Sequence, residues 1–241
     1  MLINDSYTDK FPKKKTIFGM IHLAGEDPVA QALKEIALYQ EEGVDAAIIE
    51  NYHGSIADVL QTLRSLPKDL TIKIGVNILP NEYFYSFRLA EEYHLDFIQL
   101  DYVAGKYKGH APLKLRDYSA YKLSHPHIAV LGGVWPKYYT LLEGSRLEDD
   151  VSEGMTRAEA IVVTGEGTGK ETPLTKIQDF RKLLGKHPLL IGAGLSLENA
   201  TMQLAFAYGA IVGSAFKFHN ETEEAVDKKR VHDLMEIVRA F

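Results

Sequence analysis

The stretch LLIGAGLSLENA, residues 189–200, and its echo AIVGSAFK, residues 210–217, decide the fold. Each starts as a short apolar run of strand type. The first passes straight into Gly192, Ala193 and Gly194, the second into Gly213 and Ser214. Glycine lets backbone N–H groups approach an anion closely, and a following helix N-terminus adds partial positive charge. Two such units in succession near the C-terminal end of a chain are the arrangement by which (β/α)8 barrels hold a phosphate. One loop alone reads as a tight turn; the pair points to a phosphate site at Gly192, Ala193, Gly194, Gly213 and Ser214. Lys217 stands just beyond, either as a counter-charge or as a surface lysine.

The same alternation runs back through the chain. Apolar, β-branched runs predict strands over 16–21, 44–50, 71–77, 96–100, 127–134, 160–164, 189–192 and 210–212. Helical spacing predicts helices over 29–42, 56–66, 82–93, 174–184, 198–208 and 226–240, the first opened by Pro28 and closed by Gly43. Segments 101–126 and 136–155 are the least regular and read as long active-face loops or a lid. Eight strands also suit an open doubly wound sheet, but none is followed at once by a complete G-x-G-x-x-G turn. The expectation is a single-domain (β/α)8 TIM barrel over 16–241, after a polar lead-in over 1–15. The basic run Lys13–Lys15 reads as a solvated approach to the first strand.

Composition narrows the function. A net charge of −6 argues against nucleic acid or an anionic membrane as the main partner. The absence of cysteine rules out disulfides, thiolate metal sites and cysteine nucleophiles. No apolar run approaches the ~20 residues of a membrane span, and the N-terminus is polar up to Lys15 without a signal-peptide core. A cytoplasmic protein is expected, and a homodimer suits a barrel of this size.

In a parallel barrel the working face is the C-terminal end of every strand. His22, Glu50, Asn51, Asn77, Gln99, Asp101, Lys137, Thr164, Gly165 and Glu166 stand at those ends. A barrel serving only as a scaffold has no need of such a ring. Glu50 follows a very apolar strand, so burial should raise its pKa towards a useful range; the other reading is a structural carboxylate tied to Lys73 or backbone. Glu50, Asp101 and His22 are the candidate proton-transfer groups, and Lys137 is a Schiff-base candidate if it points inward and is desolvated. Asn51, Asn77, Thr164, Gly165 and Glu166 are candidate substrate contacts. Glu50, Asp101 and His22 could jointly hold a divalent cation, but no compact ligand motif backs this, and no cofactor is firmly implied. VVTGEGTGKETPL is not a Walker loop: Thr164 replaces the first glycine, and Glu171 follows Lys170 where Ser or Thr should stand. A loop covering a ligand, with Glu166 and Lys170 enclosing it, is the better reading.

MIHLAGEDP, IIENY, IGVNILPNE, FIQLDYVAG, VVTGEGTG, LIGAGLSLEN and IVGSAFK occur in that order, closing on VDKKRV. This series resembles the BtpA family, named for photosystem I biogenesis in cyanobacteria, over nearly the whole chain after Lys15. The resemblance implies a barrel akin to ribulose-phosphate-binding enzymes. The chain departs from the family pattern in a shortened turn at Ala24–Glu26, at Pro80, around Gln99 and Asp101, and at Lys137–Tyr138, while the glycine loops are kept. Two functions follow as expectations. One is a phosphorylated small molecule undergoing sugar-phosphate isomerisation or cleavage by a lyase. The other is a non-catalytic biogenesis or assembly protein that retains the phosphate site.

Overall fold

The computed structural model describes the backbone of residues 3–241 and side chains from residue 7 onward. Eight parallel strands follow one another around a closed barrel: β1 (Thr16–Ile21), β2 (Ala46–Glu50), β3 (Lys73–Asn77), β4 (Phe97–Leu100), β5 (Ala129–Gly133), β6 (Ala160–Val163), β7 (Leu189–Ile191) and β8 (Gly209–Val212). β8 pairs back onto β1 with Thr16 opposite Gly209 and closes the ring. The helices are α1 (Ile3–Lys10), α2 (Pro28–Glu41), α3 (Ile56–Arg64), α4 (Tyr83–Glu92), α5 (Leu115–Ser124), α6 (Leu147–Met155), α7 (Leu174–Leu184), α8 (Ala200–Leu204) and α9 (Lys228–Arg239). None of the described helices is long and apolar enough to cross a membrane.

Strand side chains alternate between two cores, as the period of two requires. Phe18, Met20, Ala46, Ile48, Phe97, Leu131, Val162, Leu190 and Ile211 fill the barrel. Their neighbours Ile17, Ile21, Ala47, Ile49, Ile98, Val130, Ile161 and Ile191 pack outward against the helices. Two glycines make room for rings: a β-carbon on Gly19 would stand 2.3 Å from the Tyr39 ring, and one on Gly75 2.4 Å from Phe97.

Four expectations need correction. The polar lead-in contains α1 and carries two buried aromatic rings, Tyr7 and Phe11. Phe11 lies 4.9 Å from Phe18 and 5.6 Å from Phe97, ring centre to ring centre, and seals the N-terminal mouth. Nor is Lys15 merely solvated, since its ammonium donates to the carbonyls of Leu204 and Ala207 at 2.6 and 2.7 Å. Segments 101–126 and 136–155 are not loops throughout; they end in α5 and α6. These helices bury only Tyr118, and Val151 with Gly154, so their apolar periodicity is too thin to read. The helix expected over 198–208 shrinks to five-residue α8, because Asn199 closes a turn ahead of it, accepting from Ser196 N at 2.9 Å and donating to the Gly194 carbonyl at 2.9 Å.

Candidate active site

The parity that fills the barrel also builds the site. Continuing each inward series by two residues leads from Met20 to His22, from Ile48 to Glu50, from Gly75 to Asn77, from Phe97 to Gln99 and Asp101, from Val162 to Thr164, and from Ile211 to Gly213. His22, Glu50, Gln99, Asp101, Thr164 and Gly213 line a cavity of about 310 Å³ at the C-terminal face, floored by Met20, Val162 and Ile211. Asn77 is buried beside Glu50 and Asp101 and does not line it.

On the β2–β4 side, Asn77 Nδ2 donates to Glu50 Oε1 at 2.6 Å and to Asp101 Oδ1 at 3.3 Å. The hydroxyl of Tyr139 donates to the other Asp101 oxygen at 2.5 Å. Burial pushes the Glu50 carboxyl up to about 7, and the nearby Asp101 adds to this; Lys137 and the Asn77 hydrogen bond oppose it. Glu50 can therefore change protonation state near neutrality, as a general acid or base requires. Lys73, the alternative partner for Glu50, pairs instead with Asp96 at 2.8 Å.

His22 is buried, and burial holds its imidazole well below the usual histidine range, with Lys217 and Lys137 acting the same way. It is neutral and faces Gly213: a β-carbon there would stand 2.8 Å from the ring. Its Nδ1 has no hydrogen-bond partner. Among the described residues no group of three His, Asp or Glu side chains converges as cation ligands. The amide of Asn77, a donor, lies between Glu50 and Asp101 where a cation would need oxygen.

Lys137 lines the cavity. Its backbone N–H donates to Thr164 Oγ1 at 2.6 Å and its ammonium to Thr168 Oγ1 at 2.9 Å. The hydroxyl of Tyr138 also donates to Thr168 Oγ1, at 3.1 Å, so the β5–α6 and β6–α7 loops meet over the pocket.

The glycine loops lie opposite. Gly192, Ala193, Gly194, Gly213 and Ser214 all line the cavity. The Ala193 and Gly194 amides donate to no backbone carbonyl among the described residues. Gly194 has φ +71°, and a β-carbon there would meet the Lys170 carbonyl at 2.1 Å, so this glycine also seats the β6–α7 loop. Gly169 of the same loop sits against Ser214, whose Oγ is 2.9 Å from where its β-carbon would be.

Several expected residues fall outside. Asn51 is one step out of the inward parity; its amide donates to the Leu79 carbonyl at 3.3 Å and accepts from Leu79 N at 2.8 Å, pinning the β3–α4 loop. Glu166 is exposed, and with Gly165 it borders a separate depression beside Lys176, so neither lines the main cavity. Lys217 is neither a phosphate partner nor a surface residue. It is buried and paired with Glu35 at 2.7 Å, tying α2 to the segment after β8. Sequence reasoning did not find Tyr139 or His110, which line the cavity from two irregular loops. Those loops are joined by an antiparallel bridge between Tyr107 and Leu141, which carries no sequence signal.

Fold and pocket together define a (β/α)8 barrel with an acid–amide cluster facing two glycine loops. The model of the BtpA family matches residues 13–240, and the chain belongs to that family. A protein of Methanocaldococcus jannaschii named as uncharacterised is 25% identical, over 93% of this chain and 95% of that one. The photosystem I biogenesis protein BtpA of Synechocystis is also 25% identical, over 86% of this chain and 78% of that one. Among solved structures, phosphoribosyl anthranilate isomerase from Thermus thermophilus superposes with a TM-score of 0.63 at 15% identity, covering 93% of this chain and 98% of that one. That likeness bears on the fold alone.

Proposed function

We propose that the cavity binds a small phosphorylated metabolite and catalyses its isomerisation or carbon–carbon cleavage. The phosphate lies against the amides of Ala193 and Gly194 and the Gly213–Ser214 turn. Glu50 moves the proton, and Asp101, held by Asn77 and Tyr139, orients or stabilises the reacting group. The observation that carries this reading is the buried Glu50 carboxyl, poised at about 7 on the wall facing the glycine loops. A phosphate anchor fixes the reacting carbons against such a group and contributes through orientation. The name of the Thermus barrel, a phosphoribosyl-substrate isomerase, agrees with it. Lys137 reaches the pocket, so imine chemistry is one route to cleavage.

The second reading, an assembly protein that keeps the anion site, draws on the name of the Synechocystis relative and on exposed apolar side chains along α4 and α5: Phe84, Leu115 and Leu123, the last 80% exposed. A thermal-shift screen of sugar phosphates, inorganic phosphate and nucleotides, with and without magnesium, separates the two. A ligand at a hundred times its Kd adds about 2.7 kcal/mol of stability. A sugar-phosphate shift followed by turnover supports the enzyme. A phosphate-dependent shift with no turnover of any hit favours the assembly protein, and silence across the screen refutes the phosphate site in both readings.

A further inference from the structure

The wall facing the glycine loops is made of hydrogen-bond acceptors. The Asn77 amide cannot turn round, because its Nδ2 is engaged by Glu50 and Asp101 at 2.6 and 3.3 Å. Its Oδ1 is therefore left buried without a partner behind the cavity wall, and Gln99, which lines the cavity itself, also has its Oε1 buried and unpartnered. Two carboxyl groups stand among these oxygens. The hydroxyl of Tyr139 is spent on Asp101, the ammonium of Lys137 is turned to Thr168 at the mouth, and buried acceptors left unmatched are unfavourable. Resting on the phosphate reading above, we propose that the end of the ligand remote from the phosphate is a hydroxyl-rich, uncarboxylated carbon chain, a neutral polyol rather than a sugar acid. Hydroxyl protons satisfy Gln99 Oε1 and the carboxyl oxygens of Glu50 and Asp101 together. A ligand carboxylate would meet acceptors and like charge in the same place, which opposes binding.

The experiment is calorimetric titration of the intact protein with matched pairs: glucose 6-phosphate against 6-phosphogluconate, and glyceraldehyde 3-phosphate against 3-phosphoglycerate, with inorganic phosphate alongside. The uncarboxylated member of a pair should bind at least about tenfold tighter, as a like-charge contact implies, and Asp101→Asn should narrow that ratio. Equal or reversed preference within a binding pair overturns the inference while leaving the phosphate site standing. So does binding of inorganic phosphate with no sugar phosphate. Binding of none of them, phosphate included, overturns the phosphate reading and the inference with it.

Discussion

Replacing Glu50 with Gln probes the acid–base assignment without needing a substrate. The amide has the same length, and its oxygen can still accept from Asn77 Nδ2, so the cluster keeps its shape. What changes is titration. The wild-type carboxyl is pushed up from 4.5 to about 7 by burial and by Asp101. The folded protein therefore holds this proton more tightly than the unfolded chain does. A raised carboxyl contributes stability that is complete below the unfolded value and is lost as pH rises through the folded one. At 1.36 kcal/mol for each pH unit between the two values, the loss is about 3 kcal/mol. That is a large share of the stability of a typical domain. The substituted amide does not titrate, so from about pH 4.5 to about pH 7.5 the Glu50→Gln variant should gain about 3 kcal/mol on the wild type. Urea unfolding of both proteins at a series of pH values measures the gap, and groups common to both chains cancel. A gap that stays flat with pH would mean that Glu50 ionises as it does in water. The proton-transfer role would then lose its support.

Two further substitutions separate ligand contacts from scaffold, and a third tests the buried ion pair. Gly213→Val pushes a side chain towards the His22 ring, within 2.8 Å at the β-carbon; it should abolish the thermal shift given by a phosphate ligand while the barrel melts near its usual temperature, and unchanged affinity would sink the assignment of that loop. Gly194→Val meets the Lys170 carbonyl at 2.1 Å and a left-handed backbone, so it should lose the ligand and also expose the β6–α7 loop to limited proteolysis; weakened binding with an uncut loop would make Gly194 a direct contact only. Lys217→Met strands the buried Glu35 carboxylate and should cost about 3–5 kcal/mol in chemical denaturation, with ligand affinity unchanged; a selective loss of phosphate binding would restore Lys217 to the site.

How far the sequence can be read depends on the range of the interaction that carries each feature. The strands are legible because each is a local apolar run, and the inward series is local too. On β2, Ala46 and Ile48 face the barrel core and Glu50 follows in the same phase; on β6, Ala160 and Val162 are followed by Thr164. A polar residue in the inward phase, directly after the last core residue, marks where the barrel ends and the pocket begins. Asn51 follows Glu50 in the phase of the outward-facing Ile49, so phase alone could have removed it from the substrate contacts. Other features depend on partners that no local pattern encodes. Lys217 finds Glu35 across 182 positions of chain. Tyr139 reaches Asp101 across 38 positions, from a loop positioned by the Tyr107–Leu141 bridge. Phe11 looks like one apolar residue in a polar lead-in until β1 and β4 bring Phe18 and Phe97 beneath it.

The glycine loops show why the same motif supports two explanations at once. As sequence, Gly194 marks a place where an anion approaches the backbone. The structure puts the Lys170 carbonyl against its Cα and gives it a positive φ, either of which demands glycine without any ligand. Gly213 differs, because what crowds it is His22, a buried neutral side chain lining the same cavity. The weight of the phosphate reading therefore shifts from the glycine count to the position of the amides. Ala193 and Gly194 carry donors not taken up by backbone carbonyls among the described residues, and across the cavity from them stand Glu50, Asp101 and Gln99, the last with a buried side-chain oxygen that has no donor. Donors on one side and acceptors on the other make the pocket polar in a fixed direction. A ligand with an anionic end and a hydroxyl-rich end has one way to lie in it, and that orientation sets its reacting carbons beside Glu50.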